Sequence, residues 1–124
     1  MTTTAENILG DDLLKLWVAL VETQPEREGP SVILFVSGTM ISGRIISAKK
    51  FFEVSHMQDL YKELTDGLGD DDDPAPLERR FVHLIDPKIF RGREVPIELD
   101  GSAWRGRISE VSGFMFGQLA AIAA

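Results

Sequence analysis

The sequence predicts an α+β domain: a small, strongly bent antiparallel β-sheet or barrel, with an N-terminal helix and a second helix inserted between its strands. Three observations predict it. Apolar residues recur at helical spacing across residues 13–21. Short β-rich runs, bounded by Ser-Gly, Asp-Gly and Asp-Pro turn signals, fill much of the chain beyond residue 30. Between those runs, residues 48–65 switch to the helical period. The chain has 124 residues, 44% of them apolar and 27% charged, which is the size and usage of one globular domain. Residues 1–124 are therefore expected to form a single domain, with residues 66–78 as an acidic mobile loop.

In the first helix, Leu13, Leu16, Trp17, Leu20 and Val21 fall at i, i+3, i+4, i+7 and i+8, one face that would cover an open side of the sheet. Gly10-Asp11-Asp12 offers an acidic start, and Pro25 and Gly29-Pro30 stop it. Trp17 reads as core. Residues 31–37 form a buried strand, Ser37-Gly38 a tight turn, and residues 39–46 an antiparallel partner whose Gly43 marks a bulge or bend. Ser47 is placed to cap a helix over 48–65, with Phe51, Val54, Met57, Leu60 or Tyr61, and Leu64 on its apolar face. The next strand spans 80–86 and closes at Asp86-Pro87, with 88–91 continuing in extended form. Residues 95–99 make a short edge strand because of Pro96. Residues 103–111 and 114–119 are the last strands, and the chain finishes in an Ala-rich tail. Gly38 and Gly43, five apart in a hairpin that comes after a helix, are similar to the repeat of small barrels of the Sm-like or SH3-like type.

Charge is distributed unevenly. The net charge is −7, with about −8 over residues 51–78, where Asp70, Asp71, Asp72 and Asp73 stand together, and +2 over residues 79–124. An acidic chain has no general attraction to nucleic acid or anionic lipid, so neither is expected as a partner. The apolar runs are far shorter than the roughly 20 residues that span a bilayer. The N-terminal residues lack a basic and an apolar region, so no secretory signal is read and the cytoplasm is the expected compartment.

Signals for catalysis are few. With no cysteine, thiolate metal sites, disulfides and cysteine nucleophiles are excluded. Phosphate-binding and nucleophile-elbow motifs are missing. His56 and His83 are the two histidines, and neither has a ligand set beside it in the sequence. The four aspartates lack the spacing of a calcium loop and read as solvated. No cofactor or metal is expected. What does recur is Gly-Arg: Gly43-Arg44-Ile45, Gly92-Arg93 after Arg91, and Gly106-Arg107-Ile108 after Trp104-Arg105. Arginine and tryptophan are enriched at interface hot spots. Arg44, Arg91, Arg93, Trp104, Arg105 and Arg107, with Asp70, Asp71, Asp72 and Asp73 as the acidic counterpart, are the candidate interface. Exposed edge strands together with a basic C-terminal third make a homo-oligomer the expected state.

Several blocks are specific in combination: Ile41-Ser42-Gly43, Ile46-Ser47-Ala48-Lys49-Lys50-Phe51-Phe52, Phe81-Val82-His83-Leu84, Lys88-Ile89-Phe90 with Gly92, and the run from Trp104 through Arg105-Gly106-Arg107-Ile108-Ser109-Glu110-Val111-Ser112-Gly113 to Phe114. Together they resemble the gas vesicle accessory proteins of the GvpU family, over residues 32–119. The resemblance implies a non-enzymatic role with the air-filled shells that give prokaryotic cells buoyancy. It implies partners among the vesicle shell or other gas vesicle proteins, association with assembled vesicles, and an influence on their clustering or stability. The alternative is an Sm-like nucleic-acid-binding module, which the net charge opposes. A third reading, a small enzyme using His83 with Glu110 or Asp86, is opposed by the missing ligand sets.

Overall fold

Strand β1 (Ser31–Val36) and strand β2 (Thr39–Ile46) pair antiparallel through a two-residue turn in which Ser37 and Gly38 both take positive φ, 49° and 77°. That turn matches the right-handed twist of the strands it joins, which is why Ser-Gly is a hairpin signal. The structure, a computed structural model, describes residues 11–66, 80–92 and 95–118. Helix α1 (Asp11–Thr23) precedes the hairpin. Helices α2 (Ala48–Val54) and α3 (Gln58–Asp66) come after it. Strands β3 (Phe81–Phe90), β4 (Ile97–Glu98), β5 (Ala103–Arg107) and β6 (Gly113–Phe116) complete the order, with a short 3-10 turn, Ile108–Glu110, before β6.

The described strands form one six-stranded sheet in which every pairing is antiparallel. From one edge the order runs β6, β1, β2, β3, and both β5 and β4 lie along the outer side of β3. The fold is α+β, as expected, but the sheet is open and the closed barrel is not formed. β6 pairs with β1 and β5 with β3; closure would need β5 to pair with β6. The chain instead crosses between the two edges through the 3-10 turn, and buried Ile108 and Val111 join α1 in filling the gap. Residues 108–112 make this crossing, and the 3-10 turn within them keeps it short. This turn also shortens β5, expected to reach residue 111.

One face of the sheet is the main core. Val32, Leu34, Ile41, Ile45, Val82 and Leu84 pack there with Leu14, Val18 and Val21 of α1. The expected inward face of α1 is corrected in part: Val21 is buried and Trp17 packs against the core as expected, but Leu14 and Val18 are buried in place of Leu16 and Leu20, each 57% exposed. Residues 13–21 are apolar except for Lys15, so periodicity alone left the rotation of the helix open. The opposite face carries α2, whose Phe51 ring lies 5.0 Å from that of His83.

The single helix expected over 48–65 is two. α2 ends in a Schellman arrangement: the Met57 N–H donates to the Phe52 carbonyl and the His56 N–H to the Glu53 carbonyl, with His56 at φ 58°. The backbone then restarts as α3, which buries no residue; Met57, Leu60 and Leu64 are exposed, while Tyr61 stacks inward on Phe52. Ser47 caps α2 as expected, accepting from the Lys50 N–H, and Glu22 of α1 accepts from the Ala48 N–H at 2.7 Å.

Strand β3 runs through Asp86-Pro87 instead of ending there. Ser42 pairs with Lys88 and Arg44 with Ile85, so Gly43 stands opposite two residues. This is the bulge that Gly43 announced. A Cβ on Gly43 would sit 2.9 Å from the Ile85 carbonyl oxygen and 2.9 Å from the Leu84 Cβ. Asp86 takes φ 52° there, and its carboxylate accepts from the Gly101 N–H at 2.7 Å and from Arg44 at 3.2 Å. The edge strand expected at 95–99 is the two-residue β4, and β6 ends at Phe116. The loop expected at 66–78 and the Ala-rich tail lie outside the described residues, apart from Asp66, which closes α3. Among the described residues, no helix is long and apolar enough to cross a membrane.

Candidate interaction surface

The arginines singled out by sequence fall in three separate places. Arg44 projects from the bulged part of β2 and is committed to two carboxylates, Glu28 at 2.9 Å and Asp86 at 3.2 Å. All three side chains are partly exposed, so the bridge contributes little energy, but it ties the loop after α1 to the bulge. Arg91 is exposed just past the end of β3. Arg105 and Arg107 alternate along β5, so they share a face, and they pair in register with His83 and Phe81 at the start of β3. The length of β3 separates the two ends, up to about 30 Å at strand rise. The structure therefore brings Arg105 and Arg107 together and leaves Arg44 and Arg91 elsewhere. Arg93, Asp70, Asp71, Asp72 and Asp73 lie outside the described residues.

Arg105 is held by rings. Its guanidinium lies 3.9 Å from the Phe81 ring centroid and 5.7 Å from that of Phe52. This cation–π seat lets an exposed arginine close over the α2 side of the sheet. Trp104 faces the other way. It packs against the main core, and its indole lies over Gly106, leaving no room for a Cβ. The ring is partly buried in this packing. The signal was in the sequence: Trp104 and Gly106 alternate with the two arginines, so one set must face inward.

His83 sits beneath α2 at 1% exposure, and neither ring nitrogen has a hydrogen-bond partner. Burial, aided by the nearby Arg105 charge, pushes its pKa down to about 3. A neutral imidazole out of reach of Asp86 and Glu110 has neither the proton relay nor the exposure that the catalytic reading required. Among the described residues, no three His, Asp or Glu side chains gather as a metal site.

Sequence reasoning missed two features. The first is a polar groove of about 210 Å³ beside the bulge, lined by Ser31, Ser42, Arg44, Asp86, Lys88, Asp100 and Gln118. The second is the joint between α1 and α2: Lys49 donates to Glu26 at 2.6 Å, and this bond holds the Glu26 carboxyl below the usual carboxylate range. Both pair residues more than twenty positions apart, so neither has a local spacing to read.

A family model described as gas vesicle protein GvpU-like matches residues 11–119. A search of curated proteins gives no match.

Proposed function

The chain belongs to the GvpU-like family of gas vesicle proteins, and from that premise we propose that it is a non-enzymatic accessory protein. In this reading it associates with assembled gas vesicles and with copies of itself, and so influences how vesicles cluster. The observation that carries the reading is the family match, which spans every described element of the fold.

Charge supports the linking role. An acidic block at residues 66–78 and the Arg105–Arg107 pair are opposite partners on one chain. Contacts between such groups on different copies are weak singly and effective in number, because linkage multiplies modest affinities. Charge contacts at a protein surface are screened by salt, with a Debye length of about 8 Å at physiological ionic strength. The test is sedimentation or turbidity of the protein with purified vesicles over a salt series. Clustering is expected to weaken as salt rises, and again when Asp70, Asp71, Asp72 and Asp73 are replaced by Asn. Clustering indifferent to both changes refutes the electrostatic linkage, and protein that does not co-sediment with vesicles refutes the accessory role.

A further inference from the structure

The two edges of the sheet are built differently. One is broken into two short segments, β4 next to Pro96 and β5 with Arg105 and Arg107, which are ordinary defences against strand addition. The other edge, β6, reads Gly-Phe-Met-Phe, without a charge or a proline. Its outer side has no partner among the described residues. The Gly117 N–H donates to the Ser31 carbonyl at 3.0 Å, so by antiparallel alternation the backbone groups of Phe114 and Phe116 turn outward.

Helix α1 adds to this edge. Taking the helix at about 100° per residue, the buried Leu14, Val18 and Val21 define its inward direction. Trp17 lies to one side of it and meets Phe116 of β6 at 6.0 Å. Leu13, Leu20 and Leu16 continue outward from Trp17 in that sense, and Lys15 and Glu22 lie on the other. An apolar sector thus runs from the β6 edge over α1: Phe116 is 50% exposed, Leu20 and Leu16 are 57%, and Met115 is 51% on the opposite face of the strand. Several half-exposed large apolar side chains make a patch of a few hundred Å², the scale that marks an interaction site.

We propose that this patch is a two-fold interface at which β6 pairs antiparallel with β6 of a second copy. The identity of the partner is argued from charge. Two copies at −7 repel each other overall, so a self-complementary contact needs a neutral region, and residues 111–118, which contain β6, have no charged side chain. With Met115 on the axis, Phe114 exchanges backbone hydrogen bonds with the second copy's position 116, and the outward groups of both strands are satisfied. The Phe side chains then lie on the face that carries α1, where the two apolar sectors of α1 flank the axis. A two-fold, isologous contact is the commonest form of such assembly. This interface names the self-association within the proposed function and rests on that reading, but its chemistry is apolar and independent of the acidic block.

The cysteine-free chain permits a direct test. Residues facing each other across a two-fold, non-hydrogen-bonded antiparallel position have Cα atoms about 4.5 Å apart, within disulfide range. Met115→Cys is expected to cross-link into covalent dimers on mild oxidation, whereas the exposed Val95→Cys stays monomeric. In light scattering, the wild-type chain is expected to remain a dimer in about 1 M salt, where the Debye length is about 3 Å. The Met115→Lys, Leu20→Glu double variant, its fold checked by circular dichroism, is expected to dimerise at least ~100-fold more weakly, as loss of hot-spot contacts does. A wild-type monomer at about 100 μM, far above a micromolar Kd, overturns the inference. So does a ring larger than a dimer in which Met115→Cys fails to cross-link, which would place β6 against the partner's β5. A dimer lost in the Asp-to-Asn variant but kept in the double variant overturns the edge interface and leaves the electrostatic reading standing. A cross-linked dimer that fails to cluster vesicles leaves the edge interface standing and overturns the clustering role.

Discussion

Lowering the pH from 7 to 5 is expected to cost this fold about 2 kcal/mol through His83 alone. The imidazole is 1% exposed, has no hydrogen-bond partner, and has its pKa pushed from 6.5 to about 3 by burial and then by Arg105. The unfolded chain takes up the proton near pH 6.5 and the folded chain does not. Between pH 6.5 and about 3 the unfolded state therefore binds more protons, and stability rises with pH. The contribution is complete above pH 6.5 and is lost as pH falls toward 3. At pH 5 the unfolded histidine is almost fully protonated, and about 1.5 pH units below its pKa correspond to about 2 kcal/mol. That figure depends on the unfolded pKa; a folded value anywhere below about 4 leaves it unchanged. The assay is urea unfolding of the wild type and His83→Phe at both pH values. With m about 1–3 kcal/mol/M, the wild-type midpoint should fall by roughly 1 M more than that of the variant. Carboxylates contribute to both proteins and cancel in the comparison. At pH 7, His83→Phe should be at least as stable as wild type, because it removes two buried nitrogens without partners. Equal losses in the two proteins, or an NMR titration of His83 near its ordinary value, would refute the reasoning.

Gly43→Ala is expected to destabilise by about 2 kcal/mol or more, because its Cβ would lie 2.9 Å from the Ile85 carbonyl oxygen and from the Leu84 Cβ at the bulge; thermal unfolding measures this, and a neutral effect would show that the bulge relaxes. Trp104→Ala is expected to cost about 3 kcal/mol through lost packing, while vesicle clustering measured below its lowered Tm keeps the wild-type salt slope; a stable variant with weakened clustering would return Trp104 to the role of contact anchor.

Local chemistry was legible along the chain. Ser37-Gly38 announced a tight turn, Gly43 a bulge, Ser47 a helix cap and Pro96 an edge strand, and each does so because the constraint lies within a few residues of backbone. The family was legible for a related reason, since its blocks are contiguous runs. Orientation and long-range placement were not. Across residues 13–21 of α1 every position but Lys15 is apolar, so only packing into the core over β2 and the 3-10 turn, with Ile41, Ile45 and Ile108, selects Leu14, Val18 and Val21 as the buried set and turns Leu16 and Leu20 outward. The arginines share a motif but not a location, because strand register sends Arg105 and Arg107 to one end of β3, Arg91 to the other, and Arg44 to the carboxylates of Glu28 and Asp86. Periodicity through residues 48–65 continued across a break that His56 makes with its backbone alone. A sequence by itself determines which conformations each short segment favours; which of its apolar faces is buried, and which charges meet, is decided when segments far apart in the chain compete for the same core.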